Sequence, residues 1–292
     1  DPVAESEPVT PEARESEREA ISEAQDRAER FRKLDRGRVS ELARANSELI
    51  EYEPVSKGNK NGLLMPGRLG REQHRALKKV EEKVGMPLDD WVSEKIGTDD
   101  ATRFLYAEQV DAVAMAIRSI ENGEGFIVGD QTGTGKGRIA ASLARYALEQ
   151  GYVPVWFTQS KKLYKTSSRD LSDVEMSDLS MVATDNNLRM DLDAAFGQRE
   201  MKQGEMKEAL KAATERIREL TPLSADATKG QRKIHGKKLK SILGADVVVS
   251  AYTQVGPNES NRVRREFIAA LAPHAILIMD ESHIAAGGEG KG

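Results

Sequence analysis

The sequence has no cysteine, which excludes a disulfide framework and a Cys-based zinc site. Aromatic residues make up only 5% of it, so its core must be built mainly from aliphatic side chains. No apolar run approaches the roughly 20 residues that cross a bilayer, and the acidic start is unlike a signal peptide. The expectation is a soluble, intracellular, cytoplasmic protein with no membrane partner. There is no large excess of positive charge either: the formal net charge is −4. Contact with DNA or RNA would therefore rest on local basic stretches. There is no initiator Met, and the chain ends in Gly287-Gly288-Glu289-Gly290-Lys291-Gly292. Both features read as an excised piece of a longer protein.

The apolar residues are unevenly distributed. Residues 1–52 are rich in Glu, Arg, Ala and Ser and read as a charged arm, helical or partly disordered, with too few apolar positions to order alone. Residues 53–103 read as a small helical lead-in, with an irregular Pro- and Gly-rich loop over 53–70 and helices near 71–84 and 87–96. From 104 to 292 strands and helices alternate. A helix near 107–121 leads to a strand Gly125–Val128, a Gly-rich turn and a helix through about 149. Strands follow at Val153–Phe157 and around Met181–Ala183. A polar helical insertion at about 190–243 precedes strands Asp246–Ser250 and Ala275–Met279. Short β-branched runs between helices predict an α/β fold with a parallel sheet covered on both faces. Ligands of such sheets sit beyond the carboxyl ends of the strands.

The segment Gly129-Asp130-Gln131-Thr132-Gly133-Thr134-Gly135-Lys136-Gly137-Arg138 follows an apolar run and opens a helix, the context of a phosphate-binding loop. Glycines let backbone N–H groups and the helix N-terminus converge on one anion. Lys136 adds a mobile positive charge for the β- and γ-phosphates of ATP. Two positions depart from the general pattern: Asp130 replaces the first Gly, and Gly137 replaces the Ser or Thr whose hydroxyl normally touches Mg2+. The metal must then be held otherwise, with Thr132, Thr134 or water as candidates. Asp280-Glu281-Ser282-His283 ends the last apolar strand. There Asp280 can hold Mg2+ and Glu281 can align and deprotonate the attacking water. His283 is either a coupler of nucleotide state to the rest of the protein or a simple hydrogen-bonding residue. The other histidines, His74, His235 and His274, show no metal-like spacing.

The Asp-Glu-x-His box resembles motif II of superfamily 2 helicases. The phosphate loop resembles that of the strawberry notch-like branch, including its phage DarB-type antirestriction relatives, in which Gly-Lys-Gly-Arg is the normal form. The resemblance implies a RecA-like P-loop NTPase domain using ATP and Mg2+, the first of two such domains, and DNA-dependent ATP hydrolysis with DNA (or RNA) as partner. It implies that Gln109, in Leu105–Val113, reads the adenine edge and that residues 132–138, Arg138 included, line the nucleotide. It also implies that Ser160, Lys161 and Lys162, beside Arg169-Asp170-Leu171, and Tyr252, in Ser250-Ala251-Tyr252, face the nucleic-acid strand. A phage origin would place the protein in a bacterial host or a virion. Without a second RecA-like domain, which would supply an arginine finger, the piece is expected to hydrolyse ATP weakly.

Two other readings stay open: a nucleotide-gated binding or scaffold module without efficient turnover, and a small-molecule P-loop kinase. The basic stretch Lys229, Arg232, Lys233, Lys237, Lys238 and Lys240 either tracks phosphates or is a solvated helix face.

Overall fold

The computed structural model describes residues 49–129, 134–185, 189–191 and 203–282. The arm over 1–48 lies outside them. The first described unit is an antiparallel pair, β1 (Leu49–Glu51) with β2 (Leu64–Pro66), followed by α1 (Gly67–Val84) and α2 (Leu88–Ile96). The loop expected over 53–70 is thus shorter than its Pro and Gly content predicts. Pro66 ends the edge strand β2 and serves as N-cap of α1, the two places where its missing N–H costs least.

The main sheet has five strands: β3 (Val153–Thr158), β4 (Ser180–Ala183), β5 (Arg189–Asp191), β6 (Val247–Ala251) and β7 (Ala275–Met279). Their order is β5-β4-β6-β3-β7. Strands β4, β6, β3 and β7 are parallel, and β5 is antiparallel on the edge. Every residue of β3 and of β6 is buried, as helices on both faces require.

The alternation of side chains along β3 feeds two cores. Trp156 joins Met181, Val247, Val249 and Ile278 on one face, under α1, α2, α3 (Ala107–Glu121), α4 (Lys136–Glu149) and α5 (Tyr164–Ser172). Val153, Val155 and Phe157 face the other side with Val248. That side is covered by α6 (Gln203–Arg218), α7 (Lys229–Leu243) and α8 (Arg262–Leu271). The polar-looking helices α6 and α7 therefore bury a narrow apolar stripe, Met206, Leu210 and Ile217 in one and Leu239 and Leu243 in the other. A stripe of this kind is enough to seat a helix.

The run Gly125–Val128, expected as a strand, pairs with nothing: residues 124–129 carry no regular structure and Ile127 is 85% exposed. Gly125 and Gly129 weaken a strand at its ends, and in this run only Val128 packs against the first core. With no strand beside it, β7 is an edge, and its Leu277 and Met279 are half exposed.

Buried polar groups of α3 tie the lead-in to the domain. The fully buried Asp111 carboxylate accepts from the Tyr52 hydroxyl at 2.6 Å and from the amides of Val55 at 2.8 Å and Ser56 at 3.0 Å. Glu108 accepts from the amides of Asn61 and Gly62, each at 3.0 Å. Arg145 on α4 closes the other end of this layer. Its guanidinium donates to the carbonyls of Ile96 at 3.0 Å and of Gly97 and Val174 at 2.7 Å, satisfying carbonyls that end α2 and follow α5.

Candidate nucleotide site

Gly135 is the N-cap of α4 in a left-handed conformation, φ 79°, with no side-chain capping bond. Gly135 has no side chain to cap α4, and Lys136 stands as the first residue of the helix. A helix start of this kind is suited to an anion. Glycine is required at 135 twice over: its φ is costly for any L side chain, and the Gln109 amide occupies the space a Cβ would take.

Gln109 does not reach outward. It is 4% exposed; its Oε1 accepts from the Tyr106 amide at 2.9 Å, and its Nε2 donates to the carbonyls of Thr134 at 2.9 Å and Gly135 at 3.3 Å. The structure thus sets its amide on the backbone of the phosphate loop, where it fixes the loop's exit into α4. Arg138 is also turned from the loop, its guanidinium 3.5 Å from Asp173 and 3.4 Å from the Phe104 carbonyl. Thr132, Gly133 and His283 lie outside the described residues.

Asp280 follows the end of β7, and its amide donates to the Phe157 carbonyl at 3.0 Å, which extends the ladder to the carboxyl end of β3. Its carboxyl is held above the usual aspartate range by burial and then by the neighbouring Glu281 charge, while Lys136 pulls it back down. The charge of the phosphate-loop lysine is therefore felt at the strand-tip carboxylate. Glu281 adopts φ 50°, a left-handed conformation rare for a non-glycine residue. Such backbone strain gathers at functional turns.

Another carboxylate stands beside the start of α4. Asp170, on α5, faces Gly137 in the first turn of α4. A Cβ at 137 would lie 2.5 Å from the Asp170 carboxyl carbon and 3.0 Å from its Oδ1, so a side chain there would have to displace the carboxylate. Burial raises the Asp170 carboxyl above the usual aspartate range, offset by Arg169 at 3.2 Å. Sequence reasoning placed Asp170 only within a strand-facing motif; the signal for its position was the glycine at 137.

The expected nucleic-acid residues take separate positions. The Ser160 carbonyl accepts from the Thr158 hydroxyl at 3.1 Å, closing the turn after β3. Lys161 pairs with the buried Asp185 carboxylate at 2.5 Å, whereas Lys162 is exposed. Tyr252 stacks on Phe157, with centroids 5.9 Å apart and an interplanar angle of 11°, and its hydroxyl donates to the Asp280 carbonyl at 2.7 Å. The basic stretch of α7 lies at the opposite end of the sheet. Lys233, Lys237 and Lys240 border a groove of about 390 Å3 beside Val153 and Asp246, which stand at the amino-terminal ends of β3 and β6. There Lys240 pairs with Asp246 at 2.7 Å. His235 and His274, 39 positions apart, meet in the interior at 3.1 Å.

Among the described residues, no three acidic, histidine or cysteine side chains converge as a protein-only metal cage. Mg2+ does not need one, because it is usually held by one or two carboxylates together with substrate phosphates and water. Asp280, with Asp170 filling the cradle over Gly137, fits that requirement. When bound, the ion would neutralise charge on the phosphates. Lys136 and the amides of α4 would orient those phosphates, and Glu281 would align water.

Residues 81–214, a little under half of the chain, match the family model described as P-loop containing NTP hydrolase pore-1. No curated protein and no solved structure matches the chain. The matched stretch runs from the end of α1 through the phosphate loop, β3 and Asp170 into α6, which contains the loop-bearing half of the site. The parallel sheet, the glycine-lysine start of α4 and this match together support a RecA-like P-loop NTPase domain with a nucleotide-binding and hydrolysing function.

Proposed function

We propose that this domain is the ATP-driven half of a superfamily 2 DNA helicase or translocase, of the strawberry notch-like kind its motifs resemble. In this reading Lys136 binds the phosphates of ATP, Asp280 holds Mg2+ and Glu281 prepares the water. The turns after β3 and β6 meet the DNA strand, and a second RecA-like domain supplies the cation that completes hydrolysis.

One observation carries the reading. Tyr252, in the turn after β6, is bonded through its hydroxyl to the backbone of Asp280 and stacked on Phe157 at the end of β3. A strand lying on the turns after β3 and β6 would press on the residue that carries the metal-binding carboxylate, which is the linkage a nucleic-acid-stimulated ATPase needs. A small-molecule kinase has no use for such a linkage.

ATP hydrolysis by the full-length protein, measured with and without single-stranded DNA or RNA, tests the proposal. DNA stimulation that disappears in Lys136→Ala and Glu281→Gln is the expected result. ATP binding with no turnover under any condition would favour a nucleotide-gated scaffold.

A further inference from the structure

Gly137 stands where P-loop helices carry the hydroxyl that reaches the metal, and the structure fills the vacated space with a carboxylate from another helix. We infer that Asp170 provides the oxygen to nucleotide-bound Mg2+ that the residue at 137 cannot, making Asp170 and Asp280 the two protein carboxylates of the metal site. The inference rests on the nucleotide-binding reading of the loop at Gly135-Lys136.

The geometry is specific to this pair. The Asp170 carboxylate lies against the first turn of α4, within the volume of any side chain at 137. It is mostly buried, with its side chain 13% exposed, and among the described residues it pairs with Arg169, whose side chain is 69% exposed. The Asp170 charge also helps hold the Asp280 carboxyl above its usual range, and Lys136 opposes it. A carboxylate set against the first turn of a helix that begins with a lysine is an arrangement that a divalent cation carrying phosphates would neutralise. The same arrangement accounts for the glycine: a Ser or Thr at 137 would meet the Asp170 carboxylate, which would have to swing aside to admit it.

Mn2+ as a spectroscopic substitute separates this role from a structural one. Electron paramagnetic resonance would follow Mn2+ binding to the full-length protein in the presence of ADP, beside ADP affinity measured in a chelator. Asp170→Asn is expected to weaken Mn2+ binding about tenfold or more while metal-free ADP affinity holds. The double variant Asp170→Ala/Gly137→Ser, which reinstates a hydroxyl in the freed space, is expected to recover most of the loss. Mn2+ affinity in Asp170→Asn within about twofold of the wild type would overturn the inference. So would an equal loss of ADP affinity with and without metal, since that is what a purely structural aspartate would give. A wild type that binds no ADP would refute the nucleotide reading itself, and Lys136→Ala run in parallel identifies that case.

Discussion

The Tyr252 hydroxyl donates to the Asp280 carbonyl at 2.7 Å while its ring stacks on Phe157, so one side chain joins the ends of three adjacent strands. Burial, then the Asp280 and Glu281 charges, push this phenol up to about 12, which keeps it a neutral donor throughout the physiological range. Tyr252→Phe keeps the ring and removes one hydrogen bond worth about 1 kcal/mol. The ratio of DNA-stimulated to unstimulated ATPase rate is expected to fall about fivefold. An unchanged ratio would separate Tyr252 from the coupling.

Asp111, on α3, holds the lead-in through three hydrogen bonds. Asp111→Asn replaces one acceptor oxygen with an amine facing the Tyr52 hydroxyl or the Val55 and Ser56 amides. The expected cost is about 2–4 kcal/mol in denaturant unfolding. A loss below about 0.5 kcal/mol would show that the lead-in is not fastened through α3.

Much of this was legible in the sequence, for physical reasons. The helix over 107–121 and the strands at 153, 181, 247 and 275 are short-range patterns of apolar periodicity, and they lie where that periodicity predicts. Lys136 and Asp280 were readable because a helix start and a strand end have local signatures. Partners distant along the chain were not readable. Asp170 reaches Gly137 from 33 positions away, and His235 finds His274 only after the sheet is assembled. Gln109 was noticed, but nothing local says that its amide turns inward onto Thr134. The run Gly125–Val128 shows the converse: an apolar stretch satisfies a strand pattern, yet pairing depends on what lies beside it.

The buried pair His235 and His274 sets a pH dependence. Burial lowers both below the usual histidine value of 6.5, and for His235 the charges of His274 and Lys238 add to this. Groups whose folded pKa is depressed contribute stability that is present above 6.5 and lost as pH falls, because the unfolded chain then takes up the protons. The melting temperature is expected to drop between about pH 6.5 and 5, and His235→Gln is expected to flatten that slope. An identical slope in wild type and variant would place the acid sensitivity elsewhere.

Gly135→Ala combines two penalties, a left-handed backbone costing about 1–2 kcal/mol for an L residue and a collision with the Gln109 amide. Relief of both requires the phosphate loop to move. Nucleotide affinity is expected to fall at least about tenfold, measured by isothermal titration. Retained affinity would mean that the loop binds in another conformation.

The account depends above all on Gly135-Lys136 and Asp280 forming one nucleotide site, and equilibrium titration of a fluorescent ATP analogue in Mg2+ tests that most directly. The wild type is expected to bind saturably. Lys136→Ala is expected to lose at least about tenfold in affinity, the worth of a charge-assisted hydrogen bond to phosphate. Asp280→Asn is expected to lose the part that depends on Mg2+. Affinity unchanged in Lys136→Ala would contradict the account.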